Sequence, residues 1–280
     1  MSKTRLAIVG YGRFGRVHAR RARLHPAFEV CCIVEPDPQA RLAAQADGFD
    51  AVANLQELPA GIEAASVITP SETHAEIAIA LMRLGIDVLV EKPFATSERA
   101  IDAMLEAAQA TGRRLYTGHI ERFNHALAST PWREGAPDRI EFERRSRLPA
   151  RADCVVLDLM VHDLDLASHL LAAPAPAAFE IVDVQQHCHG VTAELVIGAT
   201  PLKLCARHGA PLSAASLLWR HGDAQHTLSL CHHLEPGQDD PLTRQYTAFR
   251  QQLDGQPSPI ASAWEGAMAA RRAIAIAARL

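Results

Sequence analysis

A glycine-rich turn near the start of the chain limits its fold more than any other feature. The apolar run Arg5–Val9 comes first, then Gly10-Tyr11-Gly12-Arg13-Phe14-Gly15, then a stretch typical of a helix. In such a unit the first glycine makes a tight turn, the second admits a pyrophosphate, and the third lets helix and strand pack closely. The pattern predicts a dinucleotide site formed by Gly10, Gly12 and Gly15, with the phosphates at a helix N-terminus.

An acidic residue after the next strand bears on which dinucleotide is bound. Glu35 follows the predicted strand Glu29–Val34 and lies 20 residues beyond Gly15. A carboxylate there binds the ribose hydroxyls and repels a 2′-phosphate, so NAD is favoured over NADP. Arg13 and Phe14, just inside the loop, are predicted to contact the cofactor. Further arginines on the same helix would favour the 2′-phosphate of NADP, although we expect most of them to face solvent.

Strands and helices continue to alternate up to about residue 119. The predicted helices are Pro38–Asp47, Glu72–Leu84 with a serine cap and Ser97–Thr111, and the predicted strands are Ala64–Ile68, Ile86–Val90 and Arg114–Thr117. This alternation is typical of a doubly wound parallel sheet, which binds ligands at the carboxyl ends of its strands. We therefore predict further cofactor contacts in the loops that follow these strands, at Thr69, Pro70, His74, Glu91 and Lys92.

The remainder of the chain has a different pattern. A short helix at 120–130, a strand at Asp138–Arg147 and a helix at Val155–Leu171 precede a series of strands without helices between them, at 178–189, 192–197, 201–208, 214–221 and 225–232. Such strands pair antiparallel. Helices at 239–254 and 262–279 close the chain. We predict an α/β protein with a Rossmann domain at 1–119 and an α+β domain at 120–280 whose open sheet favours a homo-oligomer.

Composition excludes several classes of protein. A net charge of −4 provides no basic surface for nucleic acid, and no apolar run reaches the roughly 20 residues of a membrane span. The N-terminus has no signal-peptide pattern and the six cysteines have no paired spacing, so we expect reduced thiols and a cytoplasmic protein. Among 25 arginines there are only three lysines, which draws attention to Lys92 because a compact, titratable ammonium differs from a guanidinium.

The helix at Val155–Leu171 carries polar residues on an otherwise apolar sequence. Asp158, His162 and Asp165 are spaced by four and three residues, so an α-helix would place them on one face. A structural histidine satisfied by its neighbouring aspartate explains this as well as a catalytic site does. A metal site that includes His169 is a third reading, but it needs ligands from elsewhere in the chain.

Together these motifs resemble the Gfo/Idh/MocA oxidoreductases, and the resemblance covers nearly the whole chain. It rests on the glycine loop, on the sequences VITPSETH and VLVEKPF, and on the D-x-x-x-H helix. It implies a nicotinamide cofactor, a sugar-like or polyol substrate, and dimers or tetramers through the open sheet. It also implies that Lys92 orients the substrate hydroxyl and that His162 is the general base, with Asp158 beside it, and it requires no metal.

The segments GHIERFNHA and VVLDLMVHDLDL resemble a subgroup that oxidises the 3-hydroxyl of UDP-N-acetylglucosamine for lipid A synthesis. Arg122 and Asn124 in the first segment are predicted substrate contacts, with Arg122 suited to a phosphate. Two alternatives stay open: a dehydrogenase or reductase of the same fold acting on inositol, another sugar or a tetrapyrrole, and a non-catalytic regulator that senses a dinucleotide.

Overall fold

The computed structural model describes residues 2–129, 137–147, 154–172, 178–231 and 237–280. Its strands are β1 (Thr4–Val9), β2 (Phe28–Val34), β3 (Ala51–Val52), β4 (Ala64–Val67), β5 (Asp87–Glu91), β6 (Leu115–Gly118), β7 (Arg139–Arg145), β8 (Phe179–His187), β9 (Gly190–Ile197), β10 (Thr200–Arg207), β11 (Ala214–His221), β12 (Ala224–Ser229) and β13 (Ala261–Ser262). Its α-helices are α1 (Arg13–Leu24), α2 (Pro38–Ala46), α3 (His74–Arg83), α4 (Glu98–Thr111), α5 (Val161–Leu170), α6 (Pro241–Leu253) and α7 (Ala263–Ala277).

The first unit is built on a seven-stranded sheet in the order β13-β6-β5-β4-β1-β2-β3. Six strands are parallel, and the two-residue β13 pairs antiparallel with β6. The six-strand order is that of a Rossmann fold, which confirms the predicted class. Pairing puts one row of residues at the same level near the carboxyl ends: Val34, Val9, Val67, Val90 and Thr117. The loops that follow these residues therefore leave the sheet along one edge.

The chain returns to this first unit near its end. Unit 1 contains residues up to Ile120 together with Asp239–Ala267, whereas the sequence reasoning assigned everything after 119 to the second domain. Aromatic packing explains the return, because Tyr246 and Phe249 of α6 place their rings 5.5 and 6.0 Å from that of Phe28. Burying such rings contributes on the order of 2 kcal/mol each, which is enough to hold α6 on this unit.

The second unit contains Glu121–Gln238 and Met268–Leu280. Its six-stranded sheet has the order β12-β11-β7-β10-β9-β8, and only β7 and β10 run parallel. One face of the sheet carries buried apolar residues such as Phe142, Leu195 and Leu204. They form a core with Met160 and Leu164. This confirms the predicted, largely antiparallel sheet. The expected short helix at 120–130 is two 3₁₀ turns, Ile120–Phe123 and His125–Ser129.

Within the described ranges, no helix has both the length and the apolar character needed to cross a membrane.

Candidate functional site

The glycine loop has the geometry of a phosphate cradle. Gly10 has φ +98°, and a Cβ there would lie 2.3 Å from the Ile68 carbonyl oxygen. A Cβ on Gly15 would lie 2.2 Å from the Gly10 carbonyl oxygen, whereas one on Gly12 would meet nothing within 4 Å. The first and third glycines are thus required by packing, and the second leaves open space at the N-terminus of α1. These residues fit a bound dinucleotide.

The start of α1 also favours an anion. Gly12 is the N-cap residue and provides no side-chain cap, and the first turn carries no acidic residue. Backbone N–H groups at a helix N-terminus carry partial positive charge and bind phosphate well. Arg13 and Phe14 are both exposed at this position, as a cofactor contact requires.

Glu35 follows β2 and lies against the glycine loop. Its Oε2 accepts a hydrogen bond from the Tyr11 N–H at 2.7 Å, and its Oε1 accepts one from the Asp37 N–H at 2.9 Å. The Arg41 guanidinium donates instead to the carbonyl oxygens of Glu35 and Pro36, at 2.8 and 2.7 Å. A carboxylate is therefore held where the adenosine ribose is expected, and this arginine is directed to backbone carbonyls, which fits NAD better than NADP.

The buried imidazole of His74 holds the loop after β4. Thr69 is half-buried and Pro70 exposed, so both remain available to a cofactor. His74 is buried, with Nδ1 2.9 Å from the Pro93 carbonyl oxygen and Nε2 3.0 Å from that of Thr69. Its two ring nitrogens thus face backbone carbonyls of two loops, and His74 supports the site where the sequence predicted a direct cofactor contact.

The segment before α3 also differs from the prediction. Residues Ser71–Thr73 form a 3₁₀ turn, and α3 begins at His74 with no side-chain cap. The Thr73 hydroxyl lies 2.8 Å from that of Thr69 and donates to the Pro70 carbonyl at 2.7 Å. The Thr73 hydroxyl therefore closes the turn, and α3 begins two residues later than the predicted start at Glu72.

Glu91 and Lys92 stand at the carboxyl end of β5. Lys92 is half-buried, while Glu91 is buried with its carboxylate turned into the protein. Glu91 Oε1 lies 3.4 Å from His18 Nε2, and its Oε2 accepts the Lys92 N–H at 3.3 Å. Burial alone would raise the pKa of Glu91, but His18, Lys92 and His74 together hold that pKa below its ordinary value. The predicted direct contact between Glu91 and a cofactor does not fit this inward orientation.

In the second unit, the predicted helix at 155–171 begins with a π-helical segment, Val156–Met160, and becomes α-helical at Val161. The Val161 N–H reaches the Val156 carbonyl, five residues back, so the simple spacing rule fails here. Asp158 and His162 are both half-buried. Asp158 Oδ2 lies 3.6 Å from His208 Nε2, a neighbour that the sequence reasoning missed.

Asp165 is part of a buried ion pair. Arg122 donates to it twice, from Nε at 2.8 Å and from Nη2 at 2.6 Å, and the two side chains are 2% and 1% exposed. Asn124 is also buried, and its Nδ2 donates to the Leu230 carbonyl at 2.8 Å. Both side chains are thus buried and bonded within the protein, and substrate contacts at Arg122 and Asn124 stay predictions.

A second buried cation lies in the same unit. Arg144 donates to Asp163 from Nη2 at 2.8 Å and to Glu121 from Nη1 at 3.2 Å. Burial raises the pKa of Asp163, and the Arg144 charge offsets this only in part. The sequence did not predict these ion pairs of Arg144, because its two acidic partners lie 19 and 23 residues away along the chain.

The histidine and cysteine segment at 187–189 is placed at the end of β8 and in the following turn. His187, Cys188 and His189 line a pocket of about 360 Å³ with Thr192 and Arg207. In the part of the chain that the structure describes, no three histidine, cysteine or acidic residues are arranged to hold a metal ion. The similar segment at 231–233 falls mostly outside it, since His232 and His233 are not described.

Comparison with known proteins agrees with this geometry. The family model for the Gfo/Idh/MocA "Oxidoreductase family, NAD-binding Rossmann fold" matches residues 4–119. UDP-N-acetylglucosamine 3-dehydrogenase of Acidithiobacillus ferrooxidans is 32% identical over 180 residues, or 62% of this chain and 56% of that protein. scyllo-Inositol 2-dehydrogenase (NAD(+)) of Bacillus subtilis is 28% identical over 209 residues, or 66% of this chain and 57% of that protein. The matched stretch thus spans little more than half the length of each relative.

The fold similarity extends further than the sequence similarity. The solved structure of the A. ferrooxidans enzyme has a TM-score of 0.83, with 24% identity, over 99% of this chain and 97% of that chain. The chain therefore shares its fold with that protein, and residues 4–119 match the NAD-binding Rossmann domain of the Gfo/Idh/MocA oxidoreductase family.

Proposed function

We propose that this protein is an NAD-dependent dehydrogenase that oxidises a secondary hydroxyl of a sugar-like substrate to a ketone. One observation carries the proposal: Lys92 follows β5 at the same sheet edge as the glycine loop, with its backbone held by Glu91. A regulator that only sensed a dinucleotide would have no need for a lysine at that edge.

Oxidation of an alcohol requires a hydride acceptor, a base for the hydroxyl proton, and positive charge near the developing oxyanion. Bound NAD supplies the hydride acceptor. Lys92 orients the hydroxyl and stabilises negative charge on its oxygen. The Glu91 carboxylate accepts the backbone N–H of Lys92 and so fixes its position. Glu35 and the loop glycines hold the nucleotide.

His162 is the proposed general base. Its side chain is half-buried, and an imidazole exchanges protons near neutral pH. Asp158, also half-buried, orients the imidazole or a substrate hydroxyl, and its Oδ2 lies 3.6 Å from His208 Nε2. Proton transfer by a positioned base contributes typically 10²–10⁴-fold to a rate.

The first candidate substrate is UDP-N-acetylglucosamine, oxidised at its 3-hydroxyl, because the A. ferrooxidans relative is named for that reaction. A free polyol such as an inositol is the second. Two observations favour the polyol. The Arg122 guanidinium, which the sequence predicted to suit a phosphate, is buried against Asp165, and that of Arg144 is buried against Asp163. The B. subtilis relative is also named for inositol oxidation.

The test is the appearance of reduced cofactor when the protein is mixed with NAD and a panel of nucleotide sugars and inositols. We expect turnover with at least one of them, and a fall in kcat of about a hundredfold in Lys92→Met and in His162→Gln. Lys203→Met on β10 is the matched control and should retain activity. The proposal is wrong if no panel member is oxidised, or if both site variants match the control.

A further inference from the structure

A row of buried polar side chains runs beneath the end of β5. His18 of α1 is fully buried and has Glu91 on one side, with Nε2 and Oε1 3.4 Å apart. On the other side its Nδ1 lies 3.0 Å from the Tyr246 hydroxyl, which is 3.3 Å from Ser66 Oγ. The row joins α1, β4, β5 and α6, all within the first unit.

Glu91 connects this row to Lys92. One carboxylate oxygen faces the His18 imidazole, and the other accepts the backbone N–H of Lys92 at 3.3 Å. A buried carboxylate is costly unless it is paired, so the imidazole stabilises the charge that holds the Lys92 amide. A Cβ on Gly118 would lie 2.2 Å from Glu91 Oε1, so the neighbouring strand leaves Glu91 little room to move.

We infer that His18 is a positioning residue: through Glu91 it sets the backbone of Lys92, and Tyr246 fixes the orientation of its ring. The inference rests on the proposed role of Lys92 in the reaction. The charged groups that act on Glu91 include His18, Lys92 and His74, and the charge of Glu91 acts in turn on Tyr246. His18 also bonds to α6, through the Tyr246 hydroxyl.

The chain provides a matched control for a purely structural role. His25, the C-cap residue of α1, places Nε2 3.0 Å from the Thr247 hydroxyl of α6. This contact joins the same two segments through an imidazole and a hydroxyl, and His25 is buried as well. It makes no contact with Glu91. Loss of helix packing alone should therefore affect the two contacts alike.

The experiment uses the whole chain labelled with ¹⁵N-lysine, which gives only three backbone amide signals, from Lys3, Lys92 and Lys203. We expect Tyr246→Phe and His18→Leu to shift the Lys92 amide signal while those of Lys3 and Lys203 stay in place. Thr247→Val and His25→Leu should leave all three signals unchanged. Tyr246→Phe is nearly isosteric, so it serves if His18→Leu does not fold.

Kinetics provide the second readout. In Tyr246→Phe we expect kcat to fall by about tenfold with the dissociation constant of NAD within twofold, because small misplacements of a catalytic group cost rate rather than nucleotide affinity. Thr247→Val should keep kcat. An unshifted Lys92 amide in Tyr246→Phe, or the same shift in Thr247→Val, overturns the inference. The amide measurement needs no substrate, so it decides the positioning role even if the wild type oxidises nothing.

Discussion

Replacing Arg122 with methionine should destabilise the second unit strongly. Arg122 and Asp165 form two hydrogen bonds of 2.8 and 2.6 Å, and both side chains are almost wholly buried. Arg122→Met leaves a carboxylate without its main cation, and breaking a buried pair costs about 3–5 kcal/mol. We expect the lower end, about 3 kcal/mol, because the charge of Arg272 also acts on Asp165.

Urea unfolding followed by circular dichroism measures this loss. The double variant Arg122→Met with Asp165→Leu removes both charges and should recover most of the stability, since an apolar pair of similar volume replaces a buried ion pair at little cost. A single variant that loses under about 1 kcal/mol would refute the structural assignment. So would a double variant that is no more stable than the single one.

Three further predictions concern the first unit and the thiols. Gly12→Ala should keep the melting temperature and weaken NAD binding in calorimetry by at least about tenfold, whereas Gly15→Ala, with its Cβ 2.2 Å from a backbone oxygen, should also lower the melting temperature. Burial raises the pKa of Tyr11 to about 12. Because the unfolded phenol ionises near its ordinary value of 10.0, stability to urea should fall as pH rises from 10 towards 12, and Tyr11→Phe should flatten that fall. Burial raises the pKa of the Cys32 thiol to about 11, so iodoacetamide should modify exposed Cys188 rapidly and Cys32 only on unfolding, as mass spectrometry of the labelled peptides would show.

Local patterns predicted the parallel sheet and its binding edge because both depend on short stretches of chain. Gly10 and Gly15 are needed for close contacts with the adjacent strand end and with each other, and Gly12 between them leaves open space at the helix N-terminus. Glu35 could be placed because it ends the next strand, and the pairing of Val9 with Val34 puts both loops at one level. Sequence reasoning therefore reached the glycine loop and the sheet edge with little help from tertiary structure, and the individual cofactor contacts stay predictions.

Contacts between segments that are distant in the sequence could not be predicted from it. Tyr246 lies 228 residues from His18, and Arg122 lies 43 residues from Asp165, so no spacing rule relates either pair. The π-helical segment at Val156–Met160 also broke the 3.6-residue period on which the helix prediction depended.

The sequence by itself determined the fold class, the dinucleotide loop and the singular position of Lys92, because glycine sterics and strand–helix alternation act locally. Only the tertiary structure decided which polar residues are buried and support the site, and which remain available to a cofactor or substrate. Buried charges must find partners wherever the fold places them, so Glu91, Arg122 and Asp165 were committed to His18 and to each other by packing. Lys92, Asp158 and His162 stayed half-buried, and these three carry the proposed chemistry.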